Sequence, residues 1–180
     1  MDVRRVVTGH DADGKAFIVS DESVPPITLA MSPEGEWHNL WGADTPPTFP
    51  DDGSMPFAER YFPPVGGFRF VFFSVPPGDR SSPPDDLDFV SALTEMDEKL
   101  PGLTEYLEPE APGMHTTASI DYGIVLLCSV TMELDDGATV TLHAGDTYIQ
   151  NGTRHRWTND GDATALLACT LIGVPHGRVV

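Results

Sequence analysis

The sequence has few basic residues and no long apolar run. Its 180 residues include 10 Lys and Arg against 28 Asp and Glu, a formal net charge of −18. A surface this negative repels a phosphate backbone, so we expect no nucleic-acid partner. No stretch approaches the roughly 18 apolar residues of a membrane-spanning helix, and no signal-peptide pattern stands at the N-terminus. We therefore expect a cytoplasmic protein without a membrane partner.

Cysteine is also scarce. The two cysteines, Cys128 and Cys169, each stand inside an apolar run. Thiols in such runs are usually core residues and not a disulfide or a redox pair. A small fold stapled by disulfides is therefore excluded, and both thiols are expected to be buried.

Turn residues, by contrast, are abundant. The chain has 17 prolines and 17 glycines, a composition that favours short strands over a helical bundle. Turn signals at 10–14 and 33–36 separate β-rich runs and predict two hairpins. Residues 42–67 are predicted to be mostly loop, and 68–75 a buried strand.

One helix is predicted over residues 86–100. Asp85 or Asp86 can cap its N-terminus, and Pro101-Gly102 ends it. Apolar residues recur along it at helical spacing and predict a single buried stripe, formed by Leu87, Val90, Leu93, Met96 and Leu100.

From Met114 onward, short strands alternate with turns every eight to twelve residues. That pattern is typical of a jelly roll or a small barrel. Gly145, Gly152, His155 and Asn159 resemble the second of two sequence motifs of the cupin superfamily, with Gln150 or Asn151 where the family has proline.

The first motif of the same family is represented in a degenerate form. His115 takes the position of its first histidine and Thr117 that of its second. Asp121 takes the glutamate position and Cys128 the glycine position.

The resemblance implies a fold and a domain organisation. It predicts a mainly all-β chain, a cupin double-stranded β-helix or jelly-roll barrel with an N-terminal β extension and one or two short helices. Residues 1–180 would form a single domain. Within it, 113–173 carry the motifs and 1–112 supply strands, loops and the helix that complete the barrel.

The residues themselves support a metal site. His115, Thr117 and Asp121 share one face if their strand is continuous, and His155 lies on a later strand that could meet them. Two imidazoles and one carboxylate suit Fe(II) or Zn, with Mn and Ni as alternatives. Because threonine is a poor ligand, the Thr117 position is expected to be left to water.

Four residues are candidates for the wall of a substrate pocket: Thr117, Tyr122, Gln150 and Trp157. Tyr122 alternates with Asp121 along the strand, which favours an outward position for it. No functional role is expected for the remaining histidines, His10, His38, His143 and His176.

The resemblance therefore implies a metal-dependent enzyme acting on a small organic molecule. The reaction would be a dioxygenation or a metal-assisted lyase, isomerase or decarboxylase step, in aromatic or polyketide-type metabolism. Two alternatives stay open: a metal-free cyclase or isomerase, and a non-catalytic small-molecule binding module. The resemblance also implies a homodimer, because related cupins are commonly dimers. The strand pattern is compatible with it: Ile124, Leu126 and Cys128 form an outer apolar face that the helix or a second subunit could cover, while the inner face, Gly123, Val125 and Leu127, would line the barrel.

Overall fold

Strands make up most of the regular structure. The computed structural model describes residues 1–78 and 83–177. Helix α1 spans Phe89–Lys99, and two short 3-10 turns lie at Thr104–Tyr106 and Asp135–Gly137. The strands are β1 (Val3–His10), β2 (Ala16–Val24), β3 (Ile27–Leu29), β4 (Ser32–Ala43), β5 (Phe68–Val75), β6 (Ser119–Leu127), β7 (Ser129–Glu133), β8 (Thr139–His143), β9 (Thr147–Asn151), β10 (Arg156–Thr158) and β11 (Ala165–Gly173).

Two sheets surround the core. The larger has six strands in the order β3-β4-β5-β11-β6-β9, and the smaller has the order β10-β7-β8. Val125 and Leu167 of the large sheet and Val130 and Met132 of the small one belong to one buried apolar cluster. The hairpin β1–β2 forms a separate two-stranded sheet.

The predicted fold class, a mainly β cupin barrel with an N-terminal β extension, is confirmed, as are the first hairpin and the strand at 68–75. A second hairpin also forms, from β3 and β4, but the prediction of its turn at 33–36 is wrong: the turn is at residues 30–31, and 33–36 belong to β4.

Strand β6 positions the residues of interest, because its alternation separates inside from outside. Ser119, Asp121, Gly123 and Val125 are buried, whereas the residues between them are more exposed. In the sheet register Asp121 lies opposite Gln150 of β9 on one side and opposite Leu171 of β11 on the other. The side chains of directly opposed residues share one face of a sheet. The inner face of β6 therefore carries a carboxylate into the barrel.

The alternation fails at the end of β6. The pairing of β6 with β11 shifts register between Leu166 and Leu167, and Leu127 is 51% exposed. The expectation that Leu127 lines the barrel is therefore wrong. The homodimer predicted from the opposite face of this strand stays a prediction.

The two cysteines differ in burial. Cys169 is buried and Cys128 is exposed, so the prediction of two core thiols is right for Cys169 and wrong for Cys128. Cys128 has φ 60°, a left-handed conformation that favours glycine. This backbone explains why the family motif has glycine at the corresponding position. Burial raises the pKa of the Cys169 thiol to about 12.

Helix α1 begins later than the sequence suggests. Asp88 caps it, because its side chain accepts hydrogen bonds from the backbone N–H groups of Val90 and Ser91. The prediction of Asp85 or Asp86 as the cap is wrong. The buried face also differs from the predicted stripe. Ala92 and Met96 are buried in the helix, and Leu100 follows at 0% exposure, whereas Val90 is 75% exposed.

The cap gives a stability prediction. Asp88→Ala should lower the free energy of unfolding by about 1 kcal/mol, the usual cost of losing an N-cap side chain. Asp86→Ala, two residues earlier in the chain, should have little effect. Urea unfolding followed by circular dichroism measures both variants. Equal losses in the two variants would contradict the assignment of Asp88 as the cap.

Candidate functional site

Two histidines face each other across a short antiparallel bridge. The backbone N–H of His115 donates to the carbonyl of His155, and the N–H of His155 donates to the carbonyl of His115, each over 3.0 Å. Residues paired in this way place their side chains on the same face. The two ring centroids lie 4.3 Å apart at an angle of 49°. His115 and His155, predicted from separate motifs, are thus brought together.

The hydrogen bonds of the two rings fix their tautomers. Nδ1 of His115 lies 3.0 Å from the carbonyl oxygen of Gly113, and Nδ1 of His155 lies 2.9 Å from that of Thr153. A carbonyl oxygen can only accept, so each Nδ1 carries the proton and each Nε2 keeps a lone pair. Backbone carbonyls often orient metal-binding histidines in this way.

Both imidazoles are neutral at physiological pH. Burial lowers the pKa of His115. Burial and then the neighbouring His115 lower the pKa of His155 to about 4. A neutral imidazole is the form that binds a metal ion, so the protonation states of the pair suit ligands.

The Nε2 atoms are available to a ligand. In residues 1–78 and 83–177, the fully buried side-chain nitrogen and oxygen atoms without a hydrogen bond are Arg5 Nε and His38 Nε2. The Nε2 atoms of His115 and His155 are not among them, although no described residue makes a hydrogen bond to either atom. Within the described residues, both lone pairs are therefore without a hydrogen-bond donor.

A buried chain of polar side chains continues along the same strand face. The hydroxyls of Thr117 and Ser119 lie 2.9 Å apart, and the Ser119 hydroxyl donates to Oδ1 of Asp121 over 2.6 Å. Burial raises the pKa of Asp121 to about 6, although the Ser119 hydrogen bond opposes the shift. The carboxylate is therefore ionised at neutral pH, and its ionisation lowers the stability of the folded protein.

Asp121 is not assembled with the histidine pair into a complete ligand group. Within the described part of the chain, no set of three or more His, Cys, Asp and Glu side chains is arranged to hold a metal ion. The two imidazoles are suitable ligands for a metal ion, but the described residues do not place a third protein ligand beside them. The predicted set of His115, Asp121 and His155 thus stays a prediction.

The predicted pocket residues divide between inside and outside. Gln150 is 2% exposed, and its Oε1 accepts from the backbone N–H and the hydroxyl of Thr153. Trp157 is partly buried, with its ring centroid 5.9 Å from that of His155. Tyr122 is 46% exposed on the outer face of β6, which removes it from the predicted pocket wall. Tyr122 lies outside because side chains alternate along β6 and its neighbour Asp121 faces inward.

Aromatic residues that the sequence did not point to cover the pair. The Phe62 ring lies 6.4 Å from His115, and Tyr106 packs against Phe62 at 4.7 Å. On the other side, Tyr148 lies 4.8 Å from Trp157. Phe62 comes from a loop without periodicity, so no pattern could have indicated it. Tyr148 could have been inferred from its place two residues before Gln150 on one strand face.

Most of the second motif has a structural role. Gly152 has φ 60°, and an added Cβ would lie 3.0 Å from the carbonyl oxygen of Thr117. Asn159 is 2% exposed, and its amide donates to the carbonyls of Val75 and Ala163. These two residues hold the backbone in place, so His155 is the motif residue left for chemistry.

Two openings of the described surface lie elsewhere. One of about 500 Å³ lies between α1 and the turn at Thr104–Tyr106, and one of about 370 Å³ lies along the loop at 43–57. Neither includes a predicted site residue. No helix in the described ranges is long and apolar enough to span a membrane.

Curated relatives match a short part of the chain. "Phomopsin biosynthesis cluster protein C'" and "Phomopsin biosynthesis cluster protein D", both from Diaporthe leptostromiformis, are 48% identical over 46 residues, 26% of this chain and 24% of each relative. "Oryzines biosynthesis cluster protein J" from Aspergillus oryzae is 33% identical over 48 residues, 27% of this chain and 27% of the relative. The chain thus spans about a quarter of the length of these relatives.

Solved structures are similar at low sequence identity. The Schizosaccharomyces pombe Cnp3 cupin domain is 12% identical with a TM-score of 0.47, covering 96% of this chain and 87% of that one. The predicted oxalate decarboxylase from Thermotoga maritima is 14% identical with a TM-score of 0.45, covering 84% of this chain and 94% of that one.

The family assignment comes from the sequence itself. Residues 103–171 match the Cupin domain family model. This range contains His115, Asp121 and His155 and the strands that carry them. This part of the chain is therefore similar to the cupin domain.

Proposed function

We propose that this protein is a metal-dependent enzyme that acts on a small organic molecule inside the cupin barrel. The observation that supports it most is the bridged pair His115 and His155, whose rings are neutral and whose Nε2 lone pairs are both available. A pair of imidazoles oriented by backbone carbonyls is typical of metal ligands. In a packed core each lone pair would otherwise need a donor.

The residues that would hold the ion are His115, His155 and Asp121. Asp121 enters this set as the carboxylate on the same inner face, with one oxygen bound to Ser119. If these residues held a divalent ion, Fe(II) or Zn, it would supply Lewis-acid or oxygen-activating chemistry at the site. The reaction would be a dioxygenation or a metal-assisted lyase, isomerase or decarboxylase step.

The other side chains of the site would bind the substrate and exclude water. Trp157 and Tyr148 offer ring faces on one side of the pair, and Phe62 covers the other. Gln150 supplies an amide, and Thr117 supplies a hydroxyl where a fourth ligand could have stood. Such a lining suits an uncharged or aromatic small molecule.

The charges around the site also restrict the substrate. Arg154 and Arg156 flank His155 in the sequence, but both are committed to acidic partners on the surface. Arg154 pairs with Glu108 and Asp135, and Arg156 pairs with Glu133. Neither guanidinium is left to bind a carboxylate or phosphate of a substrate. We therefore favour a substrate that is not anchored through a negative charge.

The relatives suggest the metabolic setting. Two are named for phomopsin biosynthesis clusters and one for an oryzines cluster, all in fungi. We propose a role in the biosynthesis of a specialised metabolite for this chain as well. A homodimer and a cytoplasmic location belong to the same proposal.

Elemental analysis tests the proposed metal dependence. Protein purified without added metal should contain one divalent ion per chain, or should bind one equivalent of Zn²⁺ or Fe²⁺ in a titration. We expect this result because the Nε2 lone pairs of His115 and His155 would otherwise have no partner among the described residues. Absence of metal from the purified protein together with no binding at millimolar Zn²⁺ would refute the proposal.

A metal-free cyclase or isomerase is the second candidate. It is favoured by one observation, that the described residues contain no complete group of three metal-binding side chains. In that enzyme the neutral histidines and Asp121 would move protons directly. Activity that persists after chelation and dialysis would identify it, and activity that returns only with added metal would exclude it. Binding of a small molecule without turnover would indicate a binding module.

A further inference from the structure

The ring of Phe62 lies beside the histidine pair on the side that solvent reaches. His155 is 3% exposed, whereas His115 is half-buried, so solvent contacts the pair at His115. The Phe62 ring is inclined by 29° to the His115 ring, with the two centroids 6.4 Å apart. The Trp157 ring contacts His155 instead, at 5.9 Å. Phe62 therefore borders the accessible side of the pair.

The backbone is held on both sides of Phe62. The N–H of Tyr61 donates to the carbonyl of Pro101 over 2.9 Å, and the Tyr61 side chain is buried in the core cluster. Pro63, which follows Phe62, is also buried, and the rings of Pro63 and Pro64 fix their φ angles. Because the chain is anchored before and after Phe62, the pair is uncovered by movement of one side chain and not of the whole loop.

Two aromatic contacts and an ion pair keep the Phe62 ring in its covering position. The ring makes edge contacts with Tyr61 at 5.0 Å and with Tyr106 at 4.7 Å. The Arg60 guanidinium donates two hydrogen bonds to the carboxylate of Glu105, the residue before Tyr106. This ion pair joins the loop that carries Phe62 to the turn that carries Tyr106. Aromatic contacts of this kind are individually weak, so the covering position is favoured without being permanent.

We propose that Phe62 is a gating residue of the histidine site, whose side chain must move away from His115 before a small molecule reaches the Nε2 atoms of the pair. This inference rests on the proposed function in one respect, that a small molecule binds at the pair, and it requires no metal ion. With the ring in place, His155 is screened from solvent. The space that the ring leaves is bordered by the rings of Tyr106 and His115, which suits a molecule with a flat apolar part.

Diethyl pyrocarbonate tests the gate, because this reagent acylates an unprotonated imidazole nitrogen that it can reach. At pH 7, Phe62→Ala should raise the rate of His155 modification by about tenfold or more, measured by mass spectrometry of peptides over time. Phe57→Ala is the matched control, because Phe57 lies in the same loop at 75% exposure, and its rate should equal that of the wild type. Tyr106→Leu removes one edge contact of the Phe62 ring and should raise the rate by about threefold.

His38 distinguishes gating from a general loosening of the fold. It is 0% exposed on β4, so its modification in the same samples measures opening away from the pair. Faster modification of His155 with an unchanged rate at His38 supports the gate. Equal acceleration of both histidines, or an unchanged His155 rate in folded Phe62→Ala, overturns it. If Phe62→Ala does not fold, an unchanged His155 rate in Tyr106→Leu overturns it. None of these outcomes depends on metal content, so the proposed metal dependence stands or fails separately by elemental analysis.

Discussion

His155→Ala should remove the metal ion from this protein and leave a folded barrel. His155 would supply one of two imidazole ligands, and its loss leaves His115 without its partner across the bridge. Metal content should fall from one ion per chain to nearly none, because a lone imidazole on a buried face binds a divalent ion weakly. Mass-spectrometric elemental analysis of the purified variant measures the change.

The control for this variant is an exposed histidine away from the bridged pair. His143 is exposed at the end of β8, and His143→Ala should keep the metal content of the wild type. Far-ultraviolet circular dichroism of both variants checks that the strands remain. Wild-type metal content in folded His155→Ala would remove His155 from the site.

In the metal-free protein, Asp121→Asn should change how stability depends on pH. The folded-state pKa of Asp121 is raised to about 6 by burial, from an ordinary value of 3.8. Folding therefore favours the protonated carboxyl, so stability is lost as pH rises from about 4 to about 6. A shift of this size corresponds to about 3 kcal/mol. Asparagine stays neutral and can still accept from Ser119, so the variant should gain about 3 kcal/mol relative to wild type between pH 4 and pH 8.

His155 has the opposite dependence and does not obscure this result. Its pKa is lowered by burial to about 4, so stability is lost as pH falls from about 6.5 to 4. Both proteins contain His155, and the loss cancels in the difference between them. Urea unfolding in chelator at several pH values measures that difference. A difference that does not change with pH would mean that Asp121 is not held in a desolvating site.

The sequence was informative about the fold where turns and alternation were strong. The hairpin around 10–14 and the strand at 68–75 follow from local composition, and the structure has them. The second hairpin turns at 30–31, because the residues at 33–36 that carry the turn signal pair as part of β4. The helix boundary did not follow, because three aspartates compete for the cap and only packing selects Asp88. Leu127 was misplaced because a register shift in the partner strand is a property of two strands and not of one.

The site was predictable in part for similar reasons. His115 and His155 could be paired because each stands in a recognisable motif. Ser119 could have been found from the spacing of two along one strand face. Phe62 and Tyr106 reach the site from a loop and a short turn, where position depends on the whole fold. The described residues do not assemble Asp121 with the histidines into one group, and sequence spacing could not show this because it carries no distances between elements.

Because Cys128 is exposed and Cys169 is buried, thiol modification can be used to measure opening of the large sheet. A folded molecule offers an alkylating reagent the Cys128 thiol at the surface, whereas Cys169 is inside on β11. The Cys169 thiolate forms only when β11 separates from its neighbours β5 and β6. At a reagent concentration where alkylation is faster than reclosing, the second equivalent is therefore consumed at the rate at which the large sheet opens. Counting modified thiols over time would thus follow the opening of the sheet without an introduced label.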